Sequence, residues 1–239
     1  MLHIDWQTPW FAPWAQQGEQ VLQHWQQHGN LPDALNAQQA VVEFVPQALL
    51  PSGTAYEDFI FSHAQVPTRE NAHDFFNGLC WLRFPRSKRR LNQLQAQAIA
   101  REGVQTQRGP LRDALTLLDE NAALLFAPET LWQALQAKDW HTLFVQQRQA
   151  WPQAHLVLFG HASLEKLMRP FKGITVHVLN EPLPTPMNDT EIDTRLCQCL
   201  NDDWLLTKPF NPLPVMGIPN WWTAPQNPDF YTDKSVFRT

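Results

Sequence analysis

Charge is scarce in this chain: Asp, Glu, Lys and Arg make up 17% of its 239 residues, against a usual share of about 25%. Such a chain is not a charge-solvated disordered one, which combines few aromatics with abundant charge. Cysteine is sparse too. Cys80, Cys197 and Cys199 form an odd set, which argues against a disulfide framework. The single residue between the last two is not the spacing of a zinc ribbon or a redox pair, so free thiols in a cytoplasmic protein are the expectation. No apolar run approaches about 20 residues, so no membrane span is expected. The start "MLHIDWQTPWFAPWAQQ" has neither the basic first segment nor the apolar core of a signal peptide. A Gly-rich phosphate loop, G-x-G-x-x-G, H-E-x-x-H and G-x-S-x-G are all missing, so none of the nucleotide, zinc-protease or esterase classes that they mark is indicated. No internal repeat is visible.

What is abundant is apolar and aromatic. Hydrophobic residues make up 44% of the chain and Trp occurs 11 times, enough for a packed core. The pattern along the chain predicts a single α+β domain over 1–239, predominantly helical, with a few short strands or one hairpin. Helices are expected over 18–28, 55–62, 72–83, 85–102, near 129–137 and 139–149, over 163–168 and near 189–203. Asn71 is placed to cap the helix that starts at Ala72, with Asp74 at the N3 position as the partner carboxylate. Pro85 opens the next helix and Gly103 ends it. Strands are expected at 41–45, 155–160 and 174–179. "LTLLDENAALLF" (115–126) reads as a β-hairpin with Asp119-Glu120-Asn121 at its tip, although two helical turns fit nearly as well. After Lys208 six Pro residues accompany Trp221, Trp222, Phe230 and Tyr231. Those aromatics need burial, so an ordered Pro/Trp-rich C-terminal arm wrapped over the body is expected.

Polar groups sit in unusual company between residues 66 and 95. Arg69, Asn71, His73, Asp74, Asn77, Lys88 and Asn92 are interleaved with Phe75, Phe76, Leu79, Trp81, Leu82 and Phe84. His73, Asn77 and Trp81 share one helical row, and Lys88, Leu91, Asn92 and Gln95 share another. Buried polar groups must find partners, because an unpaired one costs about 1–3 kcal/mol. Bonds to nearby backbone, or for Lys88 an ion pair with Asp74, Asp113 or Glu57, would meet that need structurally. The functional reading is that these groups line a cleft.

That reading makes His73, Asp74 and His161 the candidate catalytic residues, with His73 as general base or metal ligand. Arg69, Asn77, Lys88, Asn92, Arg108 and Arg112 become the candidate substrate-binding residues, clamping a small anionic group by charge-assisted bonds. Asp119 and Glu120 are candidate ligands for a divalent metal. Gly160 before His161 marks a tight bend at a strand end, where functional side chains often project. Hydrolysis of a phosphate- or carboxylate-bearing substrate is the reaction class these residues suggest.

An alternative rests on charge asymmetry. Arg83, Arg86, Lys88, Arg89, Arg90, Arg101, Arg108 and Arg112 are opposed only by Glu102 within 83–112, in a chain of net charge −5. The helix 85–102 of a non-catalytic accessory protein would then dock an acidic partner or a nucleic-acid backbone. The overall negative charge argues against nucleic acid. An internal salt-bridged interface explains the asymmetry equally well.

Four stretches, "VPTRENAHDFFNGLCWLRFPRSKRRLN" (66–92), "RGPLRDALTLLDEN" (108–121), "FGHASLEKL" (159–167) and "PLPVMGIPNWW…FYTDKSVFR" (212–238), together resemble a bacterial family known only as a domain of unknown function. The family usually has Gly where this chain has Ala122, and tends to have Gly where it has Asn220. The resemblance implies no activity, substrate or cofactor. It does imply that the four stretches, the C-terminal arm included, form one unit.

Overall fold

The computed structural model describes residues 2–103, 109–180, 188–222 and 227–238. Helix α1 (Ala15–His28) ends on Gly29, whose φ of 68° is the left-handed conformation that a glycine C-cap supplies. Helix α2 (Leu31–Asn36) follows, and the Asn36 side chain bonds both backbone groups of Phe44. That clamp sets the start of β1 (Glu43–Pro46), which pairs in parallel with β2 (Gln65–Thr68) across α3 (Tyr56–His63).

Two helices carry most of the interleaved polar stretch. Helix α4 (Ala72–Arg83) is capped by Asn71, whose Oδ1 accepts from the Asp74 N–H at 2.8 Å. The Asp74 carboxylate does not return the bond to Asn71. It reaches back to Arg69 and accepts from its backbone N–H at 2.6 Å and from its guanidinium. Helix α5 (Pro85–Glu102) begins on Pro85 and stops at Gly103, φ 70°. Its first turn is capped from outside the helix: Arg86 and Ser87 donate their N–H groups to the Asp193 carboxylate at 3.0 and 2.8 Å.

The hairpin expected over 115–126 is replaced by a helix running straight into a strand. Helix α6 (Pro110–Asn121) has Pro110 in its first turn and buries Leu111, Ala114, Leu115 and Leu118, one stripe at helical spacing. It passes into β3 (Ala122–Phe126), every residue of which is buried. Asp119 and Glu120 therefore lie in the last turn of a helix instead of at a turn tip. Ala122 is extended at φ −78°, so no left-handed conformation is needed there. Asn220 does adopt one, at φ 67°.

Helix α7 (Glu129–Gln136) leads to a π-helical turn over Thr142–Gln146 and a 3-10 stretch over Arg148–Gln153. Strand β4 (His155–Leu158), helix α8 (His161–Leu167) and strand β5 (Thr175–Leu179) come next. One helix was expected near 189–203; the chain instead forms α9 (Asp189–Cys199) and α10 (Asp202–Leu206), with Asn201 capping the second. Strand β6 (Phe210–Pro214) closes a four-stranded mixed sheet of order β4-β3-β5-β6. Its prolines sit on an edge strand, where a missing N–H is tolerated.

The sheet backs the helices that carry the polar side chains. Helix α4 packs on α8, α5 on α3, α6 and α9, and α6 on α8. The described residues of the C-terminal arm pack over the body as expected. Tyr231 stacks on Phe144 at 5.3 Å between ring centres, Phe237 is buried, and Lys172 pairs with Asp233 at 2.9 Å. Among the described residues no helix is long and apolar enough to cross a membrane. The three cysteines are free thiols. Burial pushes the Cys80 thiol up to about 12, which keeps it protonated and unreactive.

Candidate functional site

A chain of polar side chains runs between helices α3, α4, α5, α6 and α8. At one end Glu165 Oε2 lies 2.8 Å from His73 Nδ1, and both side chains reach solvent, at 42% and 34% exposure. His73 Nε2 faces His161 Nε2 at 3.0 Å, with the two rings nearly perpendicular at 79°. His161 and Glu165 are one turn apart on α8, so one face of that helix holds both ring nitrogens of His73. His161 is itself buried, and its Nδ1 lies 3.7 Å from Asp119 Oδ2. The other oxygen of Asp119 accepts from Lys88 Nζ in a short ion pair. Lys88 also donates to Asn77 Oδ1 at 2.8 Å and lies over the Trp81 ring, and Asn77 donates to the Tyr56 hydroxyl at 3.3 Å.

Hydrogen-bond logic assigns protons along this chain. An ionised Glu165 only accepts, so His73 Nδ1 carries a hydrogen. The Nε2 atoms at 3.0 Å then share one hydrogen, since two facing lone pairs would repel. Burial pushes the His161 pKa down to about 4, with Lys88 and His73 adding to the effect and Asp119 opposing it. Burial alone would raise the Asp119 pKa. Lys88 and His161 outweigh that and hold it below the ordinary value, so it stays ionised. Burial first, then the Glu57, Asp74 and Asp119 carboxylates, push the Tyr56 phenol well up, so it remains neutral. The arrangement is a charged pair, Lys88 and Asp119, next to two imidazoles that can hand a proton toward solvent.

Two hollows flank Asp119. One has room for about a single water, near 10 Å³, and lies against Asn77, Trp81, Lys88 and Asn92. Lys88 and Asn92 are only 4% and 5% exposed, so they point inward. Asn92 is held by the Glu57 backbone and carboxylate oxygens at 2.9 and 2.7 Å. The other hollow is an open cleft of about 280 Å³ lined by Tyr56, Glu57, Gln95, Arg112, Thr116, Asp119 and Glu120.

Of the candidates named from the sequence, His73, Asn77, Lys88, His161 and Asp119 thus meet in one network, and Arg112 and Glu120 join Asp119 at the cleft. Asp74 lies apart from the network, pinned by Arg69, whose own side chain is 56% exposed. Arg108 lies outside the described residues. Asp119 is committed to Lys88, and among the described residues no group of three or more His, Cys, Asp or Glu side chains is placed to hold a metal.

Two participants escaped the sequence reading. Glu165 stands four residues after His161 inside the "FGHASLEKL" stretch, and that spacing was its available signal. Tyr56 had none. Gly160 earns its place by proximity, not by conformation: at φ −72° it is unstrained, but a Cβ there would lie 2.3 Å from the Asn121 nitrogen and 2.4 Å from Glu120 backbone atoms. That close approach sets the end of α6 against the start of α8, and so Asp119 against His161.

The basic surface of α5 is largely engaged within the molecule. Arg86 bonds Thr194, Arg90 bonds the Leu200 carbonyl, and Arg101 pairs with Asp202. These contacts tie α5 to the α9–α10 segment, and Arg83 at the end of α4 adds a two-point pair with Asp189.

No curated protein and no solved structure matches this chain. A family model does, over residues 42–239, a span that takes in α3 to the C-terminal arm and every member of the polar network. The chain belongs to the family described as protein of unknown function DUF3025.

Proposed function

We propose that this protein is a hydrolase acting on a small anionic substrate, with His73 as its acid–base group. The observation that carries the reading is the grip on His73: a carboxylate on Nδ1 and a second, buried imidazole on Nε2. Glu165 fixes the tautomer and orientation of His73, as a carboxylate does for a catalytic imidazole. A water at the solvent-reaching edge of His73 gives its proton to Nε2 as its oxygen attacks the substrate, the hydrogen shared by the two rings staying on His161. His73 then returns that proton to the leaving group. Asp119 stabilises the extra positive charge on the imidazole pair in between. Arg112, at the cleft, supplies the cation for the anionic group.

The test is hydrolysis of chromogenic carboxylate esters, anilides and phosphate monoesters by the wild type and by H73N and E165Q. The reading expects turnover of one class, reduced about 10²–10⁴-fold in H73N, with E165Q reduced less. Absence of turnover across the panel, or equal turnover in H73N, contradicts it.

The accessory-protein alternative has less support. The helix 85–102 would need its arginines free for an acidic partner, and Arg86, Arg90 and Arg101 already have internal ones.

A further inference from the structure

The open cleft beside Asp119 carries charges of both signs that the fold does not use. Arg112 lines it, and the buried Nη1 of its guanidinium has no hydrogen-bond partner among the described residues. No hydrogen bond or ion pair engages the rest of that guanidinium among the described residues either, and a carboxylate in the cleft would supply it with charge-assisted bonds. Glu120 lines the same cleft, and its carboxylate makes no hydrogen bond or ion pair among the described residues. Arg112, Thr116 and Glu120 follow one another at every fourth position of α6, so they form a single stripe along the cleft.

The rest of the lining narrows the ligand. Arg112 is the one cation among the described lining residues, whereas Glu57, Asp119 and Glu120 are carboxylates. A doubly charged phosphate would meet more repulsion than attraction there. A single carboxylate at Arg112, with a cationic nitrogen at the Glu120 end, matches both. Eight residues of helix separate the two backbone positions, about 12 Å, so the two ends of the ligand are held apart. A volume of about 280 Å³ lies at the low end of small-molecule pockets, which limits the ligand to a small molecule.

We infer that the Arg112–Glu120 cleft binds a short linear zwitterion, a dipeptide or ω-amino acid, with its carboxylate on Arg112 and its ammonium on Glu120. This extends the anionic-substrate reading above and names dipeptides as its substrate class, the ω-amino acid being a ligand with no bond to hydrolyse. Binding is read without turnover, so its failure and the failure of the His73 mechanism are separate results.

The experiment is calorimetric titration of the full chain with dialanine, 6-aminohexanoate, hexanoate and inorganic phosphate, repeated on R112L and E120Q. Either zwitterion should bind the wild type more tightly than hexanoate, and phosphate should bind weakest. R112L should weaken zwitterion and hexanoate alike, by about tenfold or more. E120Q should weaken the zwitterions and leave hexanoate unchanged. Thermal melts of both variants guard against misfolding, and E120Q alone suffices if R112L does not fold. Binding of phosphate in preference, no binding of either zwitterion, or affinities unchanged in a folded variant would overturn the inference.

Discussion

His161 meets His73 through Nε2 on both sides, at 3.0 Å, while its own Nδ1 looks toward Asp119 at 3.7 Å. The two imidazoles are therefore strung between carboxylates, Glu165 on the solvent side and Asp119 on the buried side. Each depends on the other for its proton, and the consequences reach both stability and chemistry.

Stability should fall in acid because of His161. Its folded pKa is lowered from the ordinary 6.5 to about 4, so between those values the unfolded chain binds a proton that the folded chain refuses. The contribution is fully present above pH 6.5 and is lost as pH falls toward 4. A shift of this size corresponds to about 3 kcal/mol. Urea unfolding at a series of pH values should show that slope in the wild type and a flatter one in H161N. Equal slopes would remove His161 as the cause.

Lys88 and Asp119 form a buried ion pair, and breaking one side leaves the other uncompensated. K88M and D119N should each cost about 3–5 kcal/mol. The double variant K88M/D119N should cost clearly less than the sum of the singles. Denaturation midpoints of the three variants measure this, and simple additivity would show that the two residues do not act as a pair.

Gly160→Ala should destabilise by about 3 kcal/mol or prevent folding, since the added methyl meets backbone of α6. Its φ of −72° suits alanine, so the effect cannot come from conformational strain. If G160A melts with the wild type, the close approach of α6 and α8 is not what places Asp119 beside His161.

Asp193→Ala removes the carboxylate that caps α5 from a neighbouring helix. Asp193 is 2% exposed and accepts two N–H bonds, so a loss of about 2 kcal/mol is expected. Calorimetric unfolding should show it, with D193N less affected because the amide oxygen still accepts.

The ends of α4 and α5 were legible because the signals are local: Asn71, Pro85 and Gly103 act on the backbone next to them. The segment 115–126 was not, because two apolar runs around a polar trio fit a hairpin as well as a helix followed by a strand. What decides it is tertiary, the slot between β4 and β5 that β3 fills. The site divides in the same way. The residue types were visible, and so was the sharing of a helical row by His73 and Asn77. Their partners were not, since Lys88 and Asp119 lie 31 residues apart and His73 and His161 lie 88 apart. Ion pairs of Lys88 with Asp74, Asp113 or Glu57 were equally consistent with the sequence. Helix packing brought Asp119 instead.

The central claim is that the paired imidazoles form a working proton-transfer unit. Imidazole ¹⁵N resonances of wild type, H73N, H161N and E165Q, followed from pH 4 to 8, test it most directly. The account predicts one hydrogen between the Nε2 atoms of His73 and His161 near neutral pH, a protonated His73 Nδ1, and loss of that preference in E165Q. Two rings that titrate independently, each like a free imidazole and indifferent to Glu165, would contradict it.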